Sequence, residues 1–221
     1  MENNSQTNSS STMSFERILI GNIYLWTTLF LSIPYIICWY IIKRQKYIFD
    51  ESFRLFILNM GVAEILELIM LGLYPAIVCL LPIEPPYWLG KFLGAISGLG
   101  WNSYTALAQM VSLNRFVSVY WPTKWTTIYS KKRTYCIIVI SWLYGTIWLS
   151  LYSTNDATLT FKVSYRGMVY DLNEKYSKIA FFMNTVANWV HAISLPLLYS
   201  LIYLKVRRKD STLCKISKAV L

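Results

Sequence analysis

Charge is scarce in this sequence. Only 14% of its 221 residues are Asp, Glu, Lys or Arg, where an ordinary soluble domain carries nearer a quarter. Histidine is scarcer still. A single one, His191, excludes a multi-histidine metal centre and an H-E-x-x-H hydrolytic site. The four cysteines, Cys38, Cys79, Cys136 and Cys214, include no close C-x2-C pair, so they suit neither a disulfide framework nor a zinc site. No internal repeat is present, which argues against a transporter built from inverted halves. The first residues hold no basic segment followed by an apolar one, so no cleaved signal peptide is expected. No clustered catalytic set stands out, so neither enzyme activity nor a cofactor is expected.

Apolar runs fill the chain instead, with 55% hydrophobic residues and 16% aromatic ones. A run of eighteen or more such residues crosses a hydrocarbon core of roughly 30 Å as a helix. Five runs qualify, at about 18–42, 55–81, 92–120, 134–152 and 179–204. The expected fold is therefore all-α, a polytopic bundle in a lipid bilayer. Pro34 and Pro75 fall inside the first two spans, where a membrane helix absorbs them as a local kink. Residues 1–17 read as a disordered, polar outer tail, and 205–221 as a basic cytosolic tail. Between the fourth and fifth spans, alternation around Thr158–Tyr165 suggests a hairpin.

The net charge of +10 is segregated along the chain, which speaks of topology and not of nucleic-acid binding. Lys43, Arg44, Lys46 and Arg54 follow the first span. Arg115, Lys124, Lys131, Lys132 and Arg133 follow the third, and six more lie beyond Leu204. Only Arg17, Lys91, Lys162, Arg166, Lys175 and Lys178 lie on the other side. The richer side is expected in the cytosol, which puts the N-terminus outside. An outside tail makes Asn3 and Asn8 glycosylation acceptors in Asn-x-Ser sequences. Cys214, in the basic juxtamembrane tail, is a palmitoylation candidate.

Several short motifs stand in order along the spans. Asn114-Arg115-Phe116 lies near the cytosolic end of the third, followed by Pro122. Leu58-Asn59-Met60-Gly61-Val62-Ala63-Glu64 lies in the second, with Glu67 nearly one turn on. Trp88-Leu89-Gly90, Trp142, Pro196 and Tyr203 complete the series. This set resembles the rhodopsin-like G-protein-coupled receptors, with Asn114-Arg115-Phe116 in place of E/D-R-Y. Within them the chain is similar to the nematode serpentine chemoreceptors, first the class T group and next class X. Gly94 to Trp101, Leu113-Asn114-Arg115, Ser141 to Gly145, Asn188 to His191 and Leu198-Tyr199 carry that similarity.

The resemblance implies a seven-helix receptor that senses a small molecule and signals to a heterotrimeric G protein at a plasma or ciliary membrane. It makes Asn114, Arg115 and Phe116 the coupling switch. It makes Glu64 and Glu67 functional intramembrane carboxyls, since ionisable groups at that depth are expensive. The chain departs from the family in three ways. It lacks the cysteines that pin the second outer loop, it lacks the first helix's central asparagine, and it stops after the fifth span. A truncated form, a non-signalling fragment, a dimerisation partner of full-length receptors, and a transporter or channel subunit are therefore alternatives.

Ligand-pocket candidates follow from helical spacing. Ser97, Trp101 and Tyr104 recur on one face of the third span, with Asn102 beside it. Asn184, Asn188 and His191 recur on the fifth. Polar faces avoid lipid, so both are expected to look inward. Gly94 and Gly98, four residues apart, mark a face that a neighbour can approach closely.

Overall fold

The computed structural model describes residues 3–45, 49–81 and 85–220, with side chains described for 15–45, 49–81 and 85–209. Helix α1 runs Asn3–Arg44. Helix α2 (Glu51–Glu67) continues through a π-helical segment, Leu68–Leu73, into α3 (Tyr74–Leu80). Helix α4 spans Tyr87–Tyr120, α5 spans Pro122–Ile128 and α6 spans Lys131–Ser153. A hairpin of β1 (Leu159–Lys162) and β2 (Gly167–Tyr170) follows, and α7 (Ser177–Val220) closes the chain. Helix α1 starts at Asn3 and so takes in the stretch expected to be a disordered tail. That stretch holds no proline or glycine to stop a helix propagating backwards. Helix α7 likewise continues through the basic tail. The side chains of Asn3, Asn8 and Cys214 lie outside the described residues.

Among the described residues, four helices are long and apolar enough to cross a membrane: Phe15–Arg44, Glu51–Leu80, Lys131–Ser153 and Ser177–Lys209. Helix α4, which contains the third expected span, has the length at 34 residues but not the apolarity, because serine, threonine, asparagine and glycine dilute it. Its position explains why that is tolerated. Helix α4 packs against α2, α6, α7 and β1, and Ser97, Asn102, Ser103, Ser112 and Asn114 are all buried along it. It therefore faces protein more than lipid. The opposite holds at the flanks. The apolar stretches of α1 and α7 stay largely unburied inside the chain. Apolar surface that extensive is unsuited to water and suited to hydrocarbon, so the protein is a multi-pass membrane protein.

Proline sets the shape of the second span. Pro75 has no N–H to donate, and its ring would collide with the carbonyl four residues back. The helix widens just before it, and the Tyr74 N–H reaches the Ile69 carbonyl, five residues earlier. Such π-turns absorb a residue without breaking the helix. The far end of α3 is capped from α1. The Arg17 guanidinium donates to the carbonyls of Val78, Cys79 and Leu81 at 2.8, 3.2 and 2.9 Å.

The hairpin is antiparallel, with Leu159 opposite Tyr170 and Lys162 opposite Gly167. Arg166 turns it at φ 55°, a left-handed conformation that non-glycine residues adopt sparingly. No disulfide pins it: Cys38, Cys79 and Cys136 are free among the described residues. Noncovalent contacts take that role. Thr158 donates to Glu174 Oε1 at 2.6 Å, and its N–H donates to Ser177 Oγ at 3.0 Å. Tyr87 OH lies 3.0 Å from the Thr158 hydroxyl. Tyr24 OH donates to the Arg166 carbonyl at 2.8 Å, and Arg166 pairs with Glu16 at 3.0 Å. The Phe161 ring meets Tyr24 and Tyr74 edge-on, with centroids 5.9 and 6.3 Å away.

Thr158 is wholly buried, so removing its acceptor leaves a buried hydroxyl to satisfy, at about 1–3 kcal/mol. Glu174→Ala is therefore expected to loosen the hairpin. Trypsin would then cut at Lys162 or Arg166 several times faster than in the parent protein. An unchanged cleavage rate would show that the other contacts suffice.

Candidate functional site

The Asn114-Arg115-Phe116 triplet ends α4 at the pole opposite the hairpin, and its three side chains diverge. Asn114 is 1% exposed and donates to Ser52 Oγ at 3.3 Å. The Ser52 hydroxyl donates in turn to the Asp50 carboxylate. Asp50 also caps α2, accepting the Phe53 N–H at 3.2 Å, as N-terminal aspartates do. The Phe53 ring lies under Arg115, with Cζ 3.4 Å from its centroid. Asp50 thus holds both neighbours of the arginine: Asn114 through Ser52, and Phe53 through the cap. Its charge also attracts Arg115 directly.

Phe116 points elsewhere. Its ring stacks on Tyr120 at 4.5 Å and meets Trp121 edge-on at 5.7 Å. Tyr120 then donates to the Leu201 carbonyl of α7 at 3.0 Å. Above these residues a cavity of about 500 Å³ opens between α2, α4 and α7, with Phe53, Tyr104, Arg115 and Tyr199 in its walls. An arginine held over a ring gains about 1–2 kcal/mol, little enough for another partner to draw it away.

A second cavity of about 510 Å³ lies between α1, the second span and α4. Glu64 and Glu67 face it together with Tyr24, Tyr35, Trp101 and Tyr104. Glu67 sits against Gly100, where a Cβ would strike its carboxyl. Ser97 and the Trp101 backbone are near enough to polarise it. Yet no hydrogen bond of ordinary geometry reaches either oxygen of Glu67, or Oε2 of Glu64.

The residues expected around a ligand divide into two sets. Trp101 and Tyr104 line this cavity. The others join helices or stay within one. Trp101 Nε1 donates to Asn188 Oδ1 at 2.9 Å. The Gln109 amide lies 2.9 Å from His191 Nδ1 and donates to Ser194 Oγ at 2.6 Å. The His191 ring also meets Tyr104 edge-on. Asn184 donates to Tyr170 OH at 3.0 Å, and that hydroxyl lies 3.1 Å from Tyr152 OH. Asn102 donates within its own helix, to the Gly98 carbonyl at 2.9 Å. Ser97 is buried against α4's neighbours.

Some participants were missed in the sequence. Ser194 follows His191 by three residues and so shares its face, a signal that was available. Asp50, Ser52 and Phe53 gave no such signal, because their bearing on Arg115 depends on how α2 starts beside the end of α4. Tyr24 and Tyr35 likewise join the second cavity only through the packing of α1.

The fold is that of solved seven-helix receptors. The chain superimposes on the crystal structure of squid rhodopsin with a TM-score of 0.73 at 16% identity, covering 93% of this chain and 56% of that one. It thus spans just over half the length of the rhodopsin it matches. No curated protein matches its sequence. Residues 35–219 match the family described as "Serpentine type 7TM GPCR chemoreceptor Srx". That is the class X group, which the motifs ranked after class T. Covering most of the chain, the match establishes that this protein belongs to the Srx family of serpentine seven-helix chemoreceptors.

Proposed function

We propose that the chain senses a small molecule and couples it to a heterotrimeric G protein, with its N-terminus outside the cell and Arg115 at the cytosolic face of the plasma membrane. The observation that carries this reading is the setting of Arg115. A cation at the end of the central helix is held by a ring and by one remote carboxylate, beside an open cavity. Asn114, in the place of the usual acidic residue, forms no ion pair with it. That leaves Arg115 weakly restrained and available to a partner helix. The same helix walls the cavity that holds Glu64 and Glu67, which supports a route from ligand to coupling surface.

The test is guanine-nucleotide exchange on purified heterotrimeric G proteins, with the protein displayed at a cell surface or held in lipid nanodiscs. Arg115→Ala is expected to lower stimulated exchange by at least about tenfold, equivalent to roughly 1.4 kcal/mol. Surface display with no exchange above background, in the parent as in the variant, would sink the coupling reading. It would favour a non-signalling partner of longer receptors.

A further inference from the structure

We propose that the short helix α5 and the foot of α6 form a docking surface for a phosphoinositide headgroup of the membrane, held by Lys124, Lys132 and Arg133. Its cytosolic placement rests on the orientation proposed above, and nothing in it rests on G-protein coupling.

The placement of these cations is the first observation. Helix α6 buries Thr134, Ile138, Ser141, Gly145 and Trp148 inside the protein. Its other face exposes Tyr135, Val139, Leu143 and Ile147, each one turn beyond the last. A stripe of that kind belongs in hydrocarbon. Lys131 and Lys132 stand one turn below it, at the depth of lipid headgroups. Trp125 and Tyr129 pack on the core cluster around Phe56, which fastens α5 to the bundle. Trp121 and Ile128, at the two ends of α5, stay exposed, and a tryptophan there suits a membrane interface. The Arg133 guanidinium folds back to donate to the Thr127 carbonyl at 2.8 Å, one turn from Lys124. The three cations therefore gather along one edge of the bundle. No residue of α5 or α6 lines either of the two cavities between the other helices. The exposure of this edge thus does not arise from the part of the rhodopsin fold that the chain does not span.

Charge is the second. No Asp or Glu occurs between Glu84 and Asp156. The acids at the start of α2 are occupied: Glu51 pairs with Lys131 at 2.8 Å, and Asp50 accepts the Ser52 hydroxyl and the Phe53 N–H. Other cations at this pole lie over aromatic rings. Lys43 lies over Trp39, Arg44 over Tyr40, Arg115 over Phe53 and Lys205 over Tyr120. Among the described residues, Lys124, Lys132 and Arg133 meet neither a carboxylate nor a ring. Phosphate oxygens accept the paired N–H groups of a guanidinium and the point charge of an ammonium. An inositol ring with several phosphates offers such oxygens side by side. Phosphatidylserine instead brings an ammonium of its own, which the patch repels. Basic residues at the cytosolic foot of a membrane helix attract anionic lipid in this way.

The experiment uses the full chain in nanodiscs of phosphatidylcholine, doped with phosphatidylinositol bisphosphate or, at equal total charge, with phosphatidylserine. The bisphosphate is expected to raise the thermal midpoint saturably, and phosphatidylserine to bind at least about tenfold more weakly. Lys124→Gln, Lys132→Gln and Arg133→Gln should each weaken binding of the bisphosphate by about fivefold. All three side chains are exposed, so the thermal midpoint in pure phosphatidylcholine should stay that of the parent. Lys162→Gln, at the opposite pole, should leave binding unchanged. An equal response to the two lipids would overturn the proposal. So would unchanged affinity in the three variants, or a loss carried instead by Lys205→Gln and Arg207→Gln in α7. Both faces of a nanodisc carry the same lipid, so binding is read whichever way the chain crosses. Protease mapping of the N-terminus reads the orientation separately, and failure of G-protein exchange would sink the coupling reading alone.

Discussion

Gly145→Val is expected to prise α6 from α4 and to cost the fold more than any other single change considered. A Cβ at Gly145 would run into the Ser103 hydroxyl and the Leu99 carbonyl, and would lie 3.2 Å from Leu99 Cδ1. Ser103 is wholly buried, and the carbonyl belongs to the backbone of the central helix, so neither gives way. Helices in lipid associate through close packing of this kind, since burial of apolar surface gains nothing between two apolar phases. Overpacking costs about 1–3 kcal/mol and occasionally more. Valine, with three carbons against an unyielding helix, belongs at the upper end. The Asn59–Trp142 hydrogen bond, 3.3 Å long, ties α2 to α6 nearby and would be strained in turn. Thermal unfolding in detergent micelles should show a graded loss from glycine through alanine to valine. A valine variant as stable as the parent would mean that α4 and α6 do not touch there.

Gly94→Val is expected to lift the hairpin while leaving the helices in place. The Leu159 carbonyl of β1 occupies the space of a Cβ at Gly94. Leu159 is followed by Thr160, whose hydroxyl lies 2.7 Å from a Cβ built at Gly90, so β1 follows a run of small residues along α4. A side chain at Gly94 moves a strand, and Thr158, the residue just before that strand, is bound to Glu174 and Ser177. Losing that cluster with the backbone contact is expected to speed amide exchange across residues 158–170 by about a hundredfold, equivalent to roughly 2.7 kcal/mol. The amides of α6 should exchange as before. If the hairpin keeps its protection in the valine variant, some other contact seats it.

Much of this architecture is visible in the order of residues. The apolar runs, the segregated cations and the triplet at the end of α4 are local features, legible along one strand of text. The pair Gly94 and Gly98 announced a close approach, but not what approaches. The structure puts a β-strand on Gly94 and the Tyr152 ring on Gly98, a difference no spacing rule contains. The polar faces of α4 and α7 were expected to line a pocket together. They meet, but Trp101–Asn188 and Gln109–Ser194 join the helices directly. Such bonds are the ordinary way membrane helices satisfy polar groups. Glu64 and Glu67 stood out because carboxyls at that depth are rare. The aromatic residues opposite them did not, since Tyr24 and Tyr35 sit among many aromatic residues of a membrane helix.

That this protein threads apolar helices through a bilayer, and which ends of those helices carry positive charge, could be read residue by residue along the chain. Both follow from the solvation of each segment taken alone. Only tertiary packing decided that Asp50 braces Arg115, that glycines seat α1 at two points along the second span, and that two carboxyls look into one cavity. Those facts depend on where helices distant in the chain come within a few ångströms, and on which glycine leaves room for which side chain.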